Sequence, residues 1–288
     1  MRPPIFILGN PRSGTTLLRL MLNNHKNIVV PPECGFAIWL YEKYKNRPCT
    51  DLSIQSFVKD LSNTRKIETW NLDFNKLSEK LLSEKPNSYS DMVARVYEFY
   101  GWSSKKSFLR WGDKNNFYIQ SIPIIKKMFP SALLVHIIRD GRDVACSYKK
   151  LNKSNIESRY APHLPDQIND IASEWTANIV KIRSSFDEVG WEDVYEIRYE
   201  DLTAEPVFEL KKLCYFLDEP YDEEMELYFL KNQTEQQEPV EFLQWKAKTV
   251  EKPTTSEVGK YKIELTESEI GAFENIGAPL LKIYKYIP

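Results

Sequence analysis

The chain has 288 residues, of which 42% are hydrophobic and 28% charged, with a formal net charge of −2. That length and balance belong to a soluble globular protein with a sizeable core, favouring one elaborated domain over two equal ones. The small net charge excludes a global pull toward nucleic acid or anionic membrane, so any anion site has to be built locally.

Strand-like sequence begins by Pro4, Ile5 and Phe6, which leaves no room for a charged, then apolar, then cleavable leader. No apolar run approaches the roughly 18 to 20 residues that span a bilayer. The expectation is a cytoplasmic protein with no transmembrane segment. Cys34, Cys49, Cys146 and Cys214 form no cluster of metal-ligand spacing and are expected as reduced, packed thiols.

In chain order, Ile5, Phe6, Ile7 and Leu8 make a continuous apolar run, as in a strand buried on both faces. A helix follows over 15–24, with Leu17, Leu18, Met21 and Leu22 at core spacing. A second strand at Val29 and Val30 leads into Pro31, Pro32 and Glu33. Helical patterns then cover 36–45, 53–63, 74–82 and 88–100, so 36–105 reads as a helical insertion after the second strand that contributes to a pocket. Its aromatics Trp39, Tyr41, Tyr44, Trp70 and Trp102 are expected mainly in the core, with the insertion as a whole able to wall a pocket.

A second buried run, 132–138, ends in Arg139, Asp140, Gly141 and Arg142 and turns into a helix over 143–149. A third candidate strand, 194–198, precedes a helix starting near Glu205 and Pro206, where proline suits the first turn. The stretches 152–167 and 232–260 carry prolines and polar residues without a period and are expected as lids or binding loops. The last segment, 267–284, reads as a closing amphipathic helix. Strands separated by helices predict an α/β fold, a P-loop-like parallel β-sheet flanked by helices on both faces, formed as a single domain over 1–288.

Two turns carry the chemistry. The segment Gly9-Asn10-Pro11-Arg12-Ser13-Gly14-Thr15-Thr16 nearly spells the phosphate loop GxxxxGK[ST], but Thr15 stands where the lysine belongs and the cation is Arg12, inside the loop. Backbone N–H groups of Ser13, Gly14, Thr15 and Thr16 at a helix start, with hydroxyls and one guanidinium, suit a phosphate. Without the lysine that serves β- and γ-phosphates, a single phosphate adjoining a transferable group fits better. In the second turn Arg139 ends a strand and Ser147 lies eight positions later. Ligands of open α/β sheets gather at strand carboxyl ends, so the two turns can address one nucleotide with two separate phosphates. The competing reading makes Arg139 and Arg142 surface ion-pair partners of Asp140 and Asp143.

"PRSGTTLL" followed much later by "IIRDGRDVACS" resembles the PAPS-dependent sulfotransferases, most like the tyrosylprotein and bacterial branch. The resemblance also takes in "GDK" at Gly112, Asp113 and Lys114, "RYEDL" from Arg198 and "VGKYK" from Val258. It implies 3′-phosphoadenosine 5′-phosphosulfate (PAPS) as co-substrate, adenosine 3′,5′-bisphosphate (PAP) as product, and no metal. Arg12 would contact the 5′-phosphate and the bridging oxygen, with Ser13, Gly14, Thr15 and Thr16 around that phosphate. Arg139 and Ser147 would bind the 3′-phosphate, and Tyr199 would lie near the adenine or simply pack. Lys114 would approach the sulfuryl group, or pair with Asp113 instead. Glu33 matches the glutamate that resembles a catalytic base in the tyrosylprotein branch; alternatively it is a turn residue. His163 is the reserve base, while His25 and His136 look structural.

The chain departs from the cytosolic members near its last motif, where Thr254, Thr255 and Ser256 replace an Arg-Lys pair; Ser256 and Lys260 are the substitutes for 3′-phosphate binding. The implied activity is in-line sulfuryl transfer to a hydroxyl or amine on a small-molecule, glycan or peptide acceptor. The alternatives are a P-loop kinase-like nucleotide enzyme and a non-catalytic nucleotide-binding protein.

Overall fold

The computed structural model describes residues 1–104, 106–154 and 156–288. Its sheet comprises β1 (Ile5–Leu8), β2 (Ile28–Val29), β3 (Arg110–Lys114), β4 (Leu133–Ile138) and β5 (Val194–Arg198). They lie in the order β2, β3, β1, β4, β5, all parallel, with Ile5 opposite Gly112 on one side and Leu133 on the other. All carboxyl ends therefore open on one edge. The chain leaves β1 for β2 on one side and later places β4 on the other, which makes the end of β1 the switch point where such sheets bind ligands.

β1 is central and no more than 1% exposed, as its unbroken apolar run predicts. Its alternate residues feed two cores. Phe6 and Leu8 join the cluster under the helical insertion, whereas Ile5 and Ile7 pack with Leu18, Leu22, Val135, Ile137 and Leu210. Helices thus cover both faces, as expected.

β3 has no apolar run to announce it. Its Arg-Trp-Gly-Asp-Lys sequence is buried throughout because each charge has partners. Arg110 donates to Glu219, Pro3 O and Leu217 O, and Trp111 stacks on Tyr97 at 4.3 Å.

The insertion lies between β2 and β3 and holds α2 (Phe36–Trp39), α3 (Tyr41–Tyr44), α4 (Asp51–Ser62), α5 (Phe74–Glu84) and α6 (Tyr89–Ser103). The expected helix over 36–45 is broken at Leu40, which joins two short turns. Thr50, Asp73 and Ser88 cap the longer helices through their side chains. α1 (Thr15–Asn24), α7 (Ile122–Met128), α8 (Gly141–Asn152), α9 (Ile168–Val189), α10 (Tyr199–Ala204) and α11 (Pro206–Phe216) complete the layers.

Two differences from the sequence reading stand out. The 22-residue α9 lies where no element is expected, yet Ile171, Trp175, Ile179, Ile182 and Phe186 form one buried stripe along it. The stretch 232–260 is not loop throughout: α12 (Tyr228–Glu235) enters it, and α13 (Val240–Lys246) follows, anchored by buried Phe242 and Trp245. α14 (Tyr261–Glu264) and α15 (Glu267–Ile283) end the fold, the latter opened by a Thr266/Glu269 capping box.

Candidate active site

The carboxyl edge of the sheet borders a cavity of about 820 Å³. Arg12, Gly14, Thr15, Thr16, Glu33, Lys114, Arg139, Ser147, Tyr199 and Lys260 all line it. Ser13 and Ser256 do not. Ser13 is buried behind the loop, and Ser256 is exposed, its hydroxyl paired with Thr254 at 2.7 Å. Thr254 itself lines the cavity.

The first turn is shaped by its backbone. Gly14 has φ 97°, and a Cβ there would meet the Tyr199 ring at 2.5 Å, so the helix start and Tyr199 can touch only because this residue is glycine. Arg12 itself adopts φ 67°, a left-handed conformation costing a non-glycine residue about 1–2 kcal/mol. Its Nε donates to Ser147 Oγ at 3.0 Å, so its guanidinium lies between the two turns. The Ser13 amide is spent on Asn10 O at 3.2 Å. Among the described residues the amides of Gly14, Thr15, Thr16 and Leu17 have no carbonyl partner, which moves the anion cradle one residue along from the expected set.

In the second turn Arg139 donates through Nη1 to Arg12 O at 3.2 Å and through Nη2 to Glu257 O at 2.7 Å. Its guanidinium carbon stands 4.6 Å from the Tyr199 ring centre. Of the surface ion-pair reading only the pairing of Arg142 holds, and that pair is buried rather than at the surface: Arg142 bonds Asp140 at 2.7 Å and Glu274 at 2.6 Å and lies over Tyr261. Asp143 instead accepts from the amides of Gly259 at 2.7 Å and Tyr261 at 3.0 Å, fastening the C-terminal segment to α8.

Arg12 and Arg139 face each other with no carboxylate bonded to either guanidinium among the described residues. Burial, and then Arg139, push the Arg12 guanidinium down to about 10. Arg139 Nε and Ser13 Oγ are buried without partners among the described residues. Two cations, Arg139 buried and Arg12 half-buried, together with unspent donors make a site suited to an anion.

The third group surrounds Glu33. Lys114, at the end of β3, gives Nζ to Glu33 Oε2 at 2.7 Å, and Lys66 gives Nζ to Oε1 at 2.8 Å. The expected alternative partner of Lys114, Asp113, faces away and accepts from the hydroxyls of Tyr97 and Tyr118. Burial alone would raise the Glu33 carboxyl, but Lys114, Lys66 and Lys246 together hold it well below the usual carboxylate range. Glu33 is therefore held at the pocket edge as an ionised carboxylate between two lysines.

Sequence reasoning missed the far side of this group. Lys246 pairs with Glu238, which accepts from Arg19 at 2.6 Å with both side chains 1% exposed. Burial lowers the Lys246 ammonium to about 8. Arg19 sits between Leu18 and Leu20 on α1, where only its fully buried position distinguishes it from a solvated helix residue.

Of the insertion's aromatics, Trp39 lines the cavity and meets Phe117 edge-on at 5.9 Å. Tyr41, Tyr44 and Trp70 are core, and Trp102 lies outside under Lys80. His163 lines the cavity, whereas His25 and His136 are occupied by Pro220 O and Glu196.

Protein-tyrosine sulfotransferase A of Caenorhabditis elegans is 26% identical over 228 residues, 77% of this chain and 52% of its own length. Omega-hydroxy-beta-dihydromenaquinone-9 sulfotransferase Stf3 of Mycobacterium tuberculosis is 23% identical over 73% of this chain and 61% of its own length. The chain thus spans between half and two thirds of these two relatives. Among solved structures, the sulfotransferase domain from the curacin biosynthetic pathway superposes with a TM-score of 0.61 at 21% identity, covering 97% of this chain and 98% of that one. Mouse sulfotransferase SULT7A1, solved with PAP, gives 0.52 at 13% identity over 99% and 89%. No helix among the described residues is long and apolar enough to cross a membrane. Residues 3–223 match the Sulfotransferase family, and the chain belongs to it.

Proposed function

We propose that the chain transfers a sulfuryl group from PAPS to a hydroxyl or amine acceptor, within one domain whose insertion forms part of the acceptor wall. The observation that carries this is the Arg12, Ser147 and Arg139 constellation, where two guanidinium groups, Arg139 buried and Arg12 half-buried, meet over helix starts with donors to spare. A dianionic 5′ group on the amides of Gly14, Thr15, Thr16 and Leu17, with a 3′-phosphate against Arg139 and Ser147, meets that demand. Tyr199, packed on Gly14 and Arg139, supplies a flat face beside it for the base. Lys260 is held by Glu257 at 2.5 Å and adds charge at the rim; Ser256 is not retained as a ligand.

In the reaction, the acceptor oxygen attacks sulfur as its proton passes to a Glu33 carboxylate oxygen. The bond from sulfur to the bridging oxygen breaks, and its electron pair leaves with the 5′-phosphate of PAP. Arg12 stabilises that departing charge, and Lys114 the sulfuryl oxygens. Trp39 and Phe117 present apolar surface to the cavity that Glu33 also lines, which suits an acceptor whose hydroxyl sits on an aromatic or aliphatic body.

Incubation with radiolabelled PAPS and pooled phenols, alcohols, glycans and tyrosyl peptides tests this reading. It predicts acceptor-dependent release of PAP with label in one pool. Bound PAPS with no transfer to any pool favours the non-catalytic alternative instead.

A further inference from the structure

The clamp on Glu33 has more cations than pairing requires. Lys66 and Lys114 occupy one carboxylate oxygen each, and Lys246 approaches from α13. Asp113 lies behind on β3, and Glu238 acts on the group through Lys246. Four cations, Arg19, Lys66, Lys114 and Lys246, thus share two carboxylates, Glu33 and Glu238. Lys66 is the unexpected member. It stands at φ 73° ahead of the short helix Ile67–Trp70, a left-handed position at which glycine or asparagine is the cheaper residue. Its ammonium also lies 5.4 Å from the Phe242 ring, which Lys246 shares at 4.8 Å. Strain is retained where surrounding structure over-determines a functional position.

A base that has to take a proton at neutral pH is badly served by two ammonium groups bonded to it. Those ammonium groups are, however, well placed for the three oxygens of a sulfuryl group arriving beside Glu33. We propose that Lys66 is a catalytic residue: with Lys114 it holds Glu33 inactive in the free protein, and both transfer to the sulfuryl oxygens when the donor binds. Glu33 then gains proton affinity only once the group to be transferred is in place, and the same lysines neutralise the sulfuryl oxygens during attack. This rests on the sulfuryl-transfer reading and adds to it a second lysine and an order of events, donor before acceptor.

The test follows the Glu33 carboxyl by NMR in the full chain with isotope-labelled glutamate, the signal assigned by its loss in E33Q. Titrations are made without nucleotide, with PAP and with PAPS, and calorimetry on the same samples establishes occupancy. PAP and PAPS carry similar charge, so their difference isolates the sulfuryl group. The titration midpoint is expected to rise by about one unit or more, tenfold in proton affinity, with PAPS over PAP. K66M should raise the midpoint of the free protein and remove most of the PAPS-specific rise, while K66R keeps it. Equal midpoints with PAP and PAPS overturn the clamp but leave nucleotide binding, and with it the functional reading, intact. A K66M titration identical to wild type overturns the role of Lys66. A protein that binds neither nucleotide overturns both. Should K66M fail to fold, the wild-type comparison of PAP with PAPS still decides.

Discussion

Arg139 donates to the main-chain oxygen of Arg12 at 3.2 Å although 127 positions separate them, and Ser147 closes the group by accepting from Arg12 Nε at 3.0 Å. The parallel sheet brings this about, since β1 and β4 are neighbours and both turns leave their carboxyl ends. R12A and R139A should each weaken PAP about ten- to hundredfold, the loss expected for charge-assisted hydrogen bonds. Because the two guanidinium groups share one site, the double variant should fall short of the product of the single losses. Calorimetric titration checks both points, and undiminished PAP affinity in R139A removes the two-phosphate reading.

Glu33 touches no part of the phosphate cradle. E33Q should therefore bind PAP as the parent does while turnover drops about a hundredfold or more, as for loss of a general base. Comparison of kcat with the PAP dissociation constant decides it; normal turnover in E33Q returns Glu33 to a structural role.

Asp143 carries a different burden. Its bonds to the Gly259 and Tyr261 amides hold the segment whose Glu257 O orients Arg139. D143A should speed hydrogen exchange at those two amides about tenfold or more, the loss of a charged hydrogen bond, and weaken PAP secondarily. Unchanged exchange would show that the segment is held by other contacts.

Asp113 gives a pH signature. Burial pushes its carboxyl up to about 6 despite the hydroxyls of Tyr118 and Tyr97. A carboxyl raised above its unfolded value of about 4 binds more protons when folded, so its contribution to stability is greatest at low pH and declines between about 4 and 6. Relative to wild type, D113N should lose that decline, a difference of about 3 kcal/mol across the window. Urea midpoints on either side of the window measure it, and parallel pH dependences would contradict it.

What could be read from residues alone followed physical visibility. β1, β4 and β5 and the turns after β1 and β4 were legible because apolar runs and glycine-arginine turns are local signals. β3 was hidden, since Arg110, Asp113 and Lys114 look solvated until Glu219, Tyr97, Tyr118 and Glu33 are brought to them by distant segments. α9 is a different case: its apolar stripe at three- and four-residue spacing was present in the sequence and unused. The site divides in the same way. Arg12, Glu33, Lys114 and Arg139 were found by motif, whereas Lys66 and Lys246 belong to no motif and join the cavity only through a left-handed turn and a helix hidden in a polar stretch. Ser256 shows the reverse: expected as a hydroxyl substitute for the missing Arg-Lys pair, it is exposed, bonded to Thr254, and does not line the cavity.

The central claim is that the Arg12 and Arg139 turns grip one doubly phosphorylated adenosine. Calorimetric titration of the wild-type chain with PAP, followed by displacement with magnesium ATP, addresses it directly. The account predicts one PAP site per chain that magnesium ATP fails to compete for at equal concentration. Absence of PAP binding, or ready displacement by magnesium ATP, would contradict it.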